Sequence, residues 1–418
     1  MEYGLIGGKL GHSYSRLIHE QVGGYAYELR PLPTEEAARA FFQARAFRAV
    51  NVTIPYKKLA LACCDVVDPT AAAIGAVNTV VNKNGTLYGY NTDYAGFRWL
   101  ARKHDVRLTG KTVLILGTGG TSATVSAVCR DAGAARIYTV SRSGRDGALT
   151  YEQAAAHREA EILINTTPAG MYPDVGNCLV DLANYPRLEA ALDVVYNPFR
   201  TELLLRAEEL GLPGYCGFEM LVAQAVYAAE YFTGKTMDKD LLIETTHRGL
   251  KRQLTNISLI GMPGCGKSSI GEALAAELGK TYIDLDEVIE LRAGMPIPDI
   301  FERQGEAAFR RFEAEAVAEV SRESGQVIAC GGGVIKTPGN TRHLRMNGPV
   351  IWIRRPVEFL AMSGRPLSTG RDALRRMQVE REPAYRAAAD AAVDNTGSLK
   401  DTVSAVRAAF EQVFDYAY

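Results

Sequence analysis

The sequence has little that would direct the protein to a membrane or to a polyanion. Its 47 Lys and Arg residues nearly balance 48 Asp and Glu residues, and the formal net charge is -1. A balanced surface has no field that attracts nucleic acid. No apolar run approaches the roughly 20 residues that a membrane helix needs. The first residues also lack a basic region followed by an apolar stretch, so we expect a cytoplasmic protein.

The cysteines are few and follow no paired pattern. Seven of them lie at positions 63, 64, 129, 178, 216, 265 and 330, with no Cys-x-x-Cys spacing. An odd number without metal-site spacing is typical of reduced thiols in a cytoplasmic protein. We therefore expect neither a disulfide nor a zinc site.

Strand-like and helix-like segments alternate along the whole chain. At 418 residues the chain is too long for one ordinary core. Alternation of β-rich runs with alanine-rich helical stretches is typical of α/β domains, in which helices cover parallel sheets. The predicted strands are Lys111–Leu116, Arg136–Val140, Glu161–Asn165, Leu192–Val195, Ile257–Ile260, Gln326–Ala329 and Pro349–Ile353.

A glycine-rich turn in the first half indicates a dinucleotide site. Gly117-Thr-Gly-Gly120 follows the apolar run Thr112–Leu116 and precedes the predicted helix Ser122–Asp131. Free N–H groups and the positive end of a helix suit a pyrophosphate. After the next strand, Ser141-Arg-Ser143 stands where an NAD enzyme keeps an acidic residue. A guanidinium there suits the 2′-phosphate of NADP, although a solvated arginine in a turn is the alternative.

A second phosphate-binding loop lies in the other half. Gly261-Met-Pro-Gly-Cys-Gly-Lys-Ser268 matches Gly-x-x-x-x-Gly-Lys-Ser in full, between the strand Ile257–Ile260 and the predicted helix Ile270–Leu278. In such loops backbone N–H groups surround the phosphates, the lysine reaches the β and γ groups, and the serine hydroxyl binds Mg²⁺. Two phosphate sites of different types predict two enzymes fused end to end.

Six motifs in the first half resemble those of one family in their order. They are Gly11-His-Ser-Tyr-Ser15, Asn51–Lys57, Ala76–Thr79, Gly89–Asp93, Asn165–Met171 and Glu219–Gln224. Together they resemble shikimate dehydrogenase over residues 1 to about 253. The resemblance implies that Lys57 and Asp93 are the catalytic pair. It also implies substrate-binding and cofactor-binding residues: Ser13, Ser15, Thr53, Asn78 and Gln224 for the substrate, and Gly117, Gly119, Gly120, Thr121, Ser141, Arg142, Ser143, Thr166 and Met171 for NADPH.

The residue types of the catalytic pair fit the implied reaction. Reduction of a ketone needs a hydride on carbon and a proton on oxygen, and an ammonium beside a carboxylate can donate that proton. Without the motif context, Lys57 would be interpreted as a surface ammonium. Asp93 would be interpreted as the N-cap of a helix Tyr94–Lys103.

Motifs of the second half resemble those of a kinase family. They are Asp284-Leu-Asp286, Ile297–Phe301, Gly305–Arg310, Gly331–Gly333, Arg365-Pro-Leu367 and Arg381–Tyr385. These resemble shikimate kinase over residues 257 to 418. The resemblance implies that Asp284 joins Ser268 at Mg²⁺, that Asp286 binds the acceptor hydroxyl and takes its proton, and that Arg365 acts from a lid.

The remaining kinase residues bind the two substrates in this prediction. Two arginines suit a carboxylate because each offers a bidentate fork. From the residues alone, Asp286 could instead be a helix cap, Arg310-Arg311 a solvated face, and Arg381-Glu382 a surface pair. The predicted sets are Asp286, Arg310, Gly331, Gly332, Gly333 and Arg381 for shikimate, and Gly261, Gly264, Cys265, Gly266, Lys267, Ser268 and Ser269 for ATP.

The two resemblances agree, because the product of one family is the substrate of the other. We expect NADPH-dependent reduction of 3-dehydroshikimate to shikimate, then phosphorylation by ATP and Mg²⁺ to shikimate 3-phosphate. The alternatives are a quinate/shikimate dehydrogenase that uses NAD, or a shikimate sensor in which one half does not react. The expected domains are a substrate domain (1–100 with 217–253), a Rossmann NADP domain (101–216) and a P-loop kinase domain (257–418), with a short link at Thr255 and Asn256.

Overall fold

The computed structural model describes the backbone of residues 1–11, 13–360 and 370–417, and side chains as far as residue 414. The chain divides into two compact units, Met1–Leu250 and Lys251–Tyr418. Each unit has its own sheets and its own hydrophobic core. No helix of the described ranges combines the length and the apolar character needed to cross a membrane.

The first unit alternates strands and helices along its length. In chain order its elements are β1 (Tyr3–Gly7), α1 (Ser15–Gly23), β2 (Glu28–Pro31), α2 (Glu35–Ala44), β3 (Ala49–Val52), α3 (Lys57–Cys63), β4 (Val66–Val67), α4 (Pro69–Ile74), β5 (Thr79–Lys83), β6 (Thr86–Tyr90), α5 (Thr92–Lys103), β7 (Thr112–Leu116), α6 (Gly120–Asp131), β8 (Arg136–Val140), α7 (Tyr151–Ala154), β9 (Ile162–Asn165), β10 (Ala190–Asp193), α8 (Glu202–Glu209), β11 (Gly214–Cys216), α9 (Phe218–Thr233) and α10 (Lys239–Leu254).

The first sheet of this unit is mixed, with strand order β2-β1-β3-β5-β6-β4. β1 pairs in parallel with β2 and β3, whereas β5 runs antiparallel to both β3 and β6. Asn84 and Gly85 make the two-residue turn of the β5–β6 hairpin, both with positive φ (51° and 87°), as such turns require. Because β5 runs antiparallel to β3, its first residue and the last residue of β3 lie at the same edge.

The second sheet is parallel throughout, with strand order β11-β10-β9-β7-β8. Its central strands are apolar runs buried along their length, such as Val113–Leu116 and Ile162–Ile164. Continuous apolar runs are expected where helices cover both faces of a parallel sheet. Charged and strongly polar groups therefore have most room where the strands end.

Helices α5 and α9 pack closely beside these two sheets. A Cβ on Gly96 of α5 would stand 2.7 Å from the carbonyl oxygen of Met220 in α9. Glycine at this position thus lets the two helix backbones approach each other. The approach brings the first turn of α5 near Gln224, a polar residue of α9 that is only 7% exposed.

The second unit is a single sheet covered by helices. The elements that follow α10 are β12 (Ile257–Ile260), α11 (Lys267–Leu278), β13 (Thr281–Asp284), α12 (Leu285–Ala293), α13 (Ile297–Val320), β14 (Gln326–Ala329), α14 (Pro338–Met346), β15 (Val350–Arg354), α15 (Arg371–Ala388), β16 (Ala391–Asp394) and α16 (Leu399–Ala417). The sheet is parallel, with strand order β13-β14-β12-β15-β16. Its central strand β12 leads into the glycine-rich loop at 261–268.

The end of α10 is tied into the second unit by one lysine. Lys280 Nζ donates to the carbonyl oxygens of Arg252 (2.9 Å), Gln253 (2.8 Å) and Thr255 (2.7 Å). The last carbonyls of a helix have no donor within the helix. The Lys280 ammonium supplies the donors that a further helical turn would have supplied. Asn256, which is 1% exposed, then leads directly into β12.

We predict that Lys280→Met lowers the stability of the second unit, since three carbonyl groups lose their donor at once. The expected loss is about 1 to 3 kcal/mol, the usual effect of leaving such groups unsatisfied. It is measured as the unfolding midpoint of the transition that MgADP binding shifts. Lys400→Met, at an exposed position, is the control. Equal midpoints for the two variants would contradict the stabilising role of Lys280 at the end of α10.

Candidate active sites

Lys57 and Asp93 form a largely buried ion pair in the first unit. Lys57 Nζ donates to Asp93 Oδ2 at 2.6 Å, and the two side chains are 13% and 12% exposed. Lys57 is therefore not a surface ammonium. Asp93 is not the helix cap either, because Asn91 occupies that position and its Oδ1 accepts from the Tyr94 N–H at 3.2 Å. Both interpretations from residue type alone are wrong.

Asn78 and Gln224 meet at a shared hydroxyl beside this pair. The Asn78 Nδ2 group donates to Thr92 Oγ1 at 3.1 Å, and Asn78 Oδ1 accepts from the Thr92 N–H at 2.7 Å. The Thr92 hydroxyl donates to Gln224 Oε1 at 3.3 Å, while Gln224 Nε2 donates to the Leu221 carbonyl at 2.9 Å. These bonds orient both amides, and Thr92 is a residue that the motif analysis did not single out.

The ends of β1 and β3 lie against each other beneath Thr53. Thr53 follows β3, and its N–H donates to the Ile6 carbonyl at 2.9 Å. Its side chain is half-buried. A Cβ on Gly7, the last residue of β1, would stand 2.4 Å from the Thr53 methyl group, so glycine leaves the room that this threonine occupies.

Ser13, Ser15 and Tyr196 form a cluster of hydroxyl groups. Ser13 Oγ donates to Ser15 Oγ at 3.0 Å, and the Tyr196 hydroxyl lies beside Ser13. Burial raises the pKa of Tyr196 to about 12, so it remains a phenol that can donate. The sequence analysis missed Tyr196, although Tyr196-Asn-Pro198 follows the end of β10 and an Asn-Pro pair marks a turn.

The glycine-rich turn at 117–120 is open and lies beside the lysine of the ion pair. Gly117 has φ of 113°, and a Cβ there would stand 2.7 Å from Thr166 Oγ1. No described atom lies within 4 Å of a Cβ on Gly119, whereas a Cβ on Gly120 would be 3.7 Å from Lys57 Cδ. The turn thus offers exposed backbone N–H groups next to the Lys57–Asp93 pair, which suits a pyrophosphate.

The remaining predicted cofactor residues surround this turn at the ends of neighbouring strands. Thr166 Oγ1 donates to the Leu116 carbonyl at 2.6 Å, and Ser141 Oγ accepts from the Gly144 N–H at 3.1 Å. Arg142 and Ser143 are exposed just after β8, Thr121 is half-buried in α6, and Met171 is 45% exposed. An exposed guanidinium near an open phosphate loop fits a dinucleotide that carries an additional phosphate.

A buried carboxyl group holds the loop that contains Thr166. Asp193, 1% exposed, accepts from Asn165 Nδ2 at 2.9 Å, from the Val195 N–H at 3.0 Å and from Thr201 Oγ1 at 2.7 Å. Burial raises the pKa of Asp193 to about 7, although the three hydrogen bonds oppose the shift. The carboxyl group therefore changes charge near neutral pH.

In the second unit the glycine-rich loop holds its own lysine. Lys267 Nζ donates to the carbonyl oxygens of Gly261 (2.9 Å) and Met262 (3.1 Å) and is 8% exposed. Gly261, Gly264 and Gly266 have φ of 146°, 79° and 99°, a region that favours glycine. Cys265 is fully buried. The loop has the shape of a phosphate-binding turn at the start of α11.

Ser268 and Asp284 provide adjacent oxygen atoms. Ser268 Oγ donates to Asp284 Oδ2 at 3.0 Å, and Asp284 Oδ1 accepts from the Asp286 N–H at 3.0 Å. A hydroxyl and a carboxylate are suitable ligands for Mg²⁺. The N-cap of α12 is thus Asp284 rather than Asp286, so the interpretation of Asp286 as a cap is wrong.

The glycines at 331–333 bring the predicted acceptor residues together. A Cβ on Gly331 would stand 2.9 Å from Asp286 Oδ1, and one on Gly333 would stand 2.4 Å from Arg310 Nη1. The Gly332 carbonyl accepts from Arg381 Nη1 at 2.8 Å. Only glycine leaves space for the carboxylate and the guanidinium at this loop.

Arg310 and Arg381 are neither a solvated face nor a surface pair. Arg310 Nη1 donates to Glu313 Oε2 at 2.8 Å, and the side chains are 16% and 0% exposed. Arg381 is 6% exposed, whereas Glu382 pairs with Arg386. The two surface interpretations are wrong. Glu313, whose pKa burial raises, was missed although it lies one helical turn after Arg310.

One cavity of about 530 Å³ joins the two parts of the second site. Its lining includes Lys267, Ser268 and Ser269 of the phosphate-binding loop as well as Asp286 and Arg381. A donor and an acceptor of a phosphoryl group could therefore meet in it. Arg365, the predicted lid residue, lies outside the described residues.

The two sites define an oxidoreductase of the dinucleotide-binding class joined to a P-loop kinase, and comparisons with known proteins agree. The family model for the shikimate dehydrogenase substrate binding domain matches residues 5–80, and that for the shikimate 5′-dehydrogenase C-terminal domain matches residues 217–245. The shikimate kinase model matches residues 263–414. The NADP(+) shikimate dehydrogenase of Clostridium perfringens SM101 is 36% identical over 254 residues, which cover 57% of this chain and 94% of the relative.

Solved structures give the same result for the first unit. Shikimate dehydrogenase 1 of Peptoclostridium difficile has a TM-score of 0.56 at 33% identity, covering 60% of this chain and 98% of its own. Shikimate 5-dehydrogenase of Thermus thermophilus, in complex with NADP(H) and shikimate, has a TM-score of 0.52 at 31% identity, covering 59% and 99%. Quinate dehydrogenase of Corynebacterium glutamicum, in complex with NAD, has a TM-score of 0.52 at 28% identity, covering 59% and 98%.

The chain belongs to the shikimate dehydrogenase family and carries a shikimate kinase domain after it. It is a bifunctional enzyme, an NADP-dependent oxidoreductase and an ATP- and Mg²⁺-dependent kinase. The predicted fold class is confirmed for both halves.

The buried Asp193 predicts a pH-dependent stability of the first unit. Its folded pKa of about 7 is above its ordinary value of 3.8. Its stabilising contribution is therefore complete below pH 3.8 and is lost as the pH rises through 7. Asp193→Asn preserves the shape and the two hydrogen bonds that Oδ1 accepts, from Asn165 and Val195. Its Nδ2 would donate to Thr201 Oγ1 in place of the third bond, and it carries no charge. We expect the wild-type unfolding midpoint, for the transition that NADP⁺ shifts, to fall more between pH 5 and pH 8 than that of the variant.

The exposed carboxylate Asp174 offers a control for the pH experiment. Asp174→Asn is expected to follow the wild-type pH profile. Parallel profiles for the wild type and Asp193→Asn would contradict the assignment of the pH dependence to this carboxyl group.

Proposed function

We propose that this enzyme reduces 3-dehydroshikimate to shikimate with NADPH and then phosphorylates shikimate at its 3-hydroxyl with ATP. The observation that carries the proposal is the presence of one complete set of reacting groups in each unit. The Lys57–Asp93 pair lies beside an open dinucleotide turn, and a single cavity joins Lys267 to Asp286. The proposed small-molecule partners are therefore 3-dehydroshikimate and shikimate.

Proton transfer in the first unit is assigned to Lys57. The bound cofactor supplies the hydride. The Lys57 ammonium donates a proton to the carbonyl oxygen as that oxygen gains charge. Asp93, 2.6 Å from Nζ, keeps the ammonium oriented, since a carboxylate accepts a short hydrogen bond from it. In the reverse reaction the same amine would take the proton of the hydroxyl.

The polar groups around this pair are assigned to the substrate. Ser13, Ser15 and Tyr196 lie together, and their hydroxyl groups would turn from one another to donate to a carboxylate. Asn78 and Gln224 each use one amide hydrogen within the protein, which leaves the second hydrogen for a ring oxygen. Thr53, together with these residues, completes the proposed contacts to the ring.

The glycine turn and Arg142 are assigned to NADP. Gly117, Gly119 and Gly120 would bind the pyrophosphate with Thr121, and Thr166 and Met171 would flank the nicotinamide. Arg142, with Ser141 and Ser143, would bind the 2′-phosphate, because a guanidinium fork matches its oxygens. An exposed loop with a free cation favours NADP over NAD.

Phosphoryl transfer in the second unit is assigned to Lys267, Asp286 and the groups around them. Lys267 would exchange its loop carbonyls for phosphate oxygens, and Ser268 and Asp284 would hold Mg²⁺. Asp286 would accept the proton of the attacking hydroxyl. Arg310 and Arg381 would bind the carboxylate of shikimate beside the Gly331, Gly332 and Gly333 amides. Gly261, Gly264, Cys265, Gly266 and Ser269 would surround the phosphates, and Arg365 would act from the lid.

The two sheets of the first unit suggest which residue ranges bind the substrate and which bind the cofactor. We assign substrate binding to residues 1–100 with 217–253, since the serines, Asn78 and Gln224 come from those segments. Cofactor binding is assigned to the parallel sheet within 101–216, and the kinase domain to 257–418. Such a division leaves the reacting groups between a substrate domain and a Rossmann domain.

The two activities should be separable by single substitutions. Lys57→Ala is expected to lower NADPH-dependent reduction by at least about a hundredfold, the usual contribution of a general acid, with kinase turnover unchanged. Lys267→Ala is expected to do the converse. Both activities are measured on each full-length variant, one by NADPH oxidation and one by ADP release.

The chain offers a neighbouring residue as a control for the dehydrogenase. Lys58 is exposed and adjacent to Lys57, so Lys58→Ala is expected to retain both activities. Loss of both activities in Lys57→Ala would point to misfolding and count against its role as proton donor.

Arg142 should determine the choice between NADP and NAD. Arg142→Asp replaces the cation with a like charge to the 2′-phosphate, so the NADPH-to-NADH ratio of kcat/KM is expected to fall by about tenfold to a hundredfold. Rates are measured with shikimate and with quinate as well as with both cofactors. Arg136→Asp, at the opposite end of β8, is the control. An unchanged ratio would remove the assignment and favour the NAD-dependent quinate/shikimate alternative.

A further inference from the structure

Two adjacent arginines at the end of β15 have different surroundings. Arg354 is the last residue of the strand, and Arg355 follows it. Arg354 pairs with Asp394, with 2.7 Å between Nη2 and Oδ2, and its side chain is 42% exposed. Arg355 extends to the phosphate-binding loop at 261–268 instead. Its Nη1 lies 3.8 Å from the position that a Cβ on Gly266 would occupy.

Asn395, which follows β16, lies against the same glycine, Gly266. Its Nδ2 donates to the Cys265 carbonyl at 2.7 Å, and its Oδ1 accepts from Thr402 Oγ1 at 2.9 Å. The Nδ2 atom lies 2.8 Å from a Cβ on Gly266. Gly266, with φ of 99°, therefore has no room for a side chain. The end of β15 and the loop after β16 together form a wall beside the phosphate-binding turn.

The Arg355 guanidinium has no neutralising group in this wall. Within residues 1–11, 13–360 and 370–414, no ion pair of Arg355 is found, and its buried Nε has no hydrogen-bond partner. A buried donor without an acceptor is unfavourable. An anionic ligand in the adjacent loop would supply the opposite charge and would accept from the Nη1 group that faces the loop. Neighbouring Arg354 needs no such ligand, because Asp394 already pairs with it.

We propose that Arg355 is a further nucleotide-binding residue of the kinase and that it contacts the phosphate chain. Its planar fork suits phosphate oxygens, and its charge adds to that of Lys267. The inference rests on the proposed nucleotide role of the loop at 261–268 and extends it to a residue that follows β15. Asn395 keeps the wall in position, since it bonds to both Cys265 and Thr402.

The test uses the full-length enzyme saturated with NADP⁺, so that the dinucleotide site is occupied. MgADP, inorganic tripolyphosphate and adenosine are titrated by calorimetry into the wild type, Arg355→Ala, Arg355→Lys and Arg354→Ala. Shikimate is titrated separately into each protein without NADP⁺, so that it binds without being oxidised. For Arg355→Ala we expect the Kd of MgADP and of tripolyphosphate to rise by about tenfold, the effect of one charge-assisted contact. Shikimate should bind to both units with unchanged Kd values, which also shows that the variant is folded.

The other variants separate charge from shape. Arg355→Lys is expected to keep most of the tripolyphosphate affinity, and Arg354→Ala all of it. The proposal is overturned if Arg355→Ala weakens adenosine but not tripolyphosphate, which would indicate a base contact. Equal losses in Arg354→Ala, or equal losses in Arg355→Lys and Arg355→Ala, would also overturn it.

If the loop at 261–268 does not bind a nucleotide, the titrations give a different result from failure of the Arg355 proposal alone. If the wild type bound neither MgADP nor tripolyphosphate, the nucleotide role of the loop itself would be wrong, and the Arg355 proposal with it. If the wild type bound both and Arg355→Ala bound them equally well, only the Arg355 proposal would be wrong.

Discussion

A parallel sheet with helices on both faces leaves little room for charged or strongly polar side chains except where its strands end. Three polar residues obey this constraint as the final residue of their strands: Asn165, Asp193 and Asp284. Asp193 holds Asn165 and the loop after it, and Asp284 caps the helix that carries Asp286. The glycine turns at 117–120 and 261–268 also follow strands. Both proposed sites are therefore consequences of where the sheets can accept charge.

Removing charges from water is the second determinant of these sites. The Lys57–Asp93 pair and the Arg310–Glu313 pair are each largely hidden from solvent. Loss of one member of a buried pair leaves an uncompensated charge, which costs roughly 3 to 5 kcal/mol. Each partner thus holds the other in the cleft, and the proposed proton donor and carboxylate-binding group are pre-positioned. Arg355 differs because no protein group among the described residues neutralises it.

Much of this architecture follows from local sequence, because hydrophobic runs and glycine turns act over short distances. The predicted strand Arg136–Val140 and the strand Ile257–Ile260 agree with the structure residue for residue. Helix starts were less accurate: α6 begins at Gly120 rather than Ser122, and α11 at Lys267 rather than Ile270. Gly120 and Lys267, which belong to the phosphate-binding turns, already lie in the helices. At Gly120 the low helix propensity of glycine conceals this in the sequence.

Errors about the sites have a common physical origin. The capping residues are Asn91 and Asp284, each two positions before the aspartate considered as a cap. Local pattern cannot choose between neighbouring polar residues, because the choice depends on backbone angles set by the preceding strand. Tyr196 was missed since the serines beside it come from a distant segment. Glu313 pairs with Arg310 on the same helix, but the cavity that both residues line is built from distant segments and exists only after the sheet has formed.

The central claim is that both units turn over in sequence, and one measurement tests it most directly. Full-length enzyme is supplied with 3-dehydroshikimate, NADPH, ATP and Mg²⁺ while NADPH, ADP and shikimate 3-phosphate are followed together. The account predicts that NADPH is consumed and that ADP and shikimate 3-phosphate then form in equal amounts, with no ADP formed when NADPH is omitted. Binding of these ligands without formation of either product would contradict it and favour a shikimate sensor.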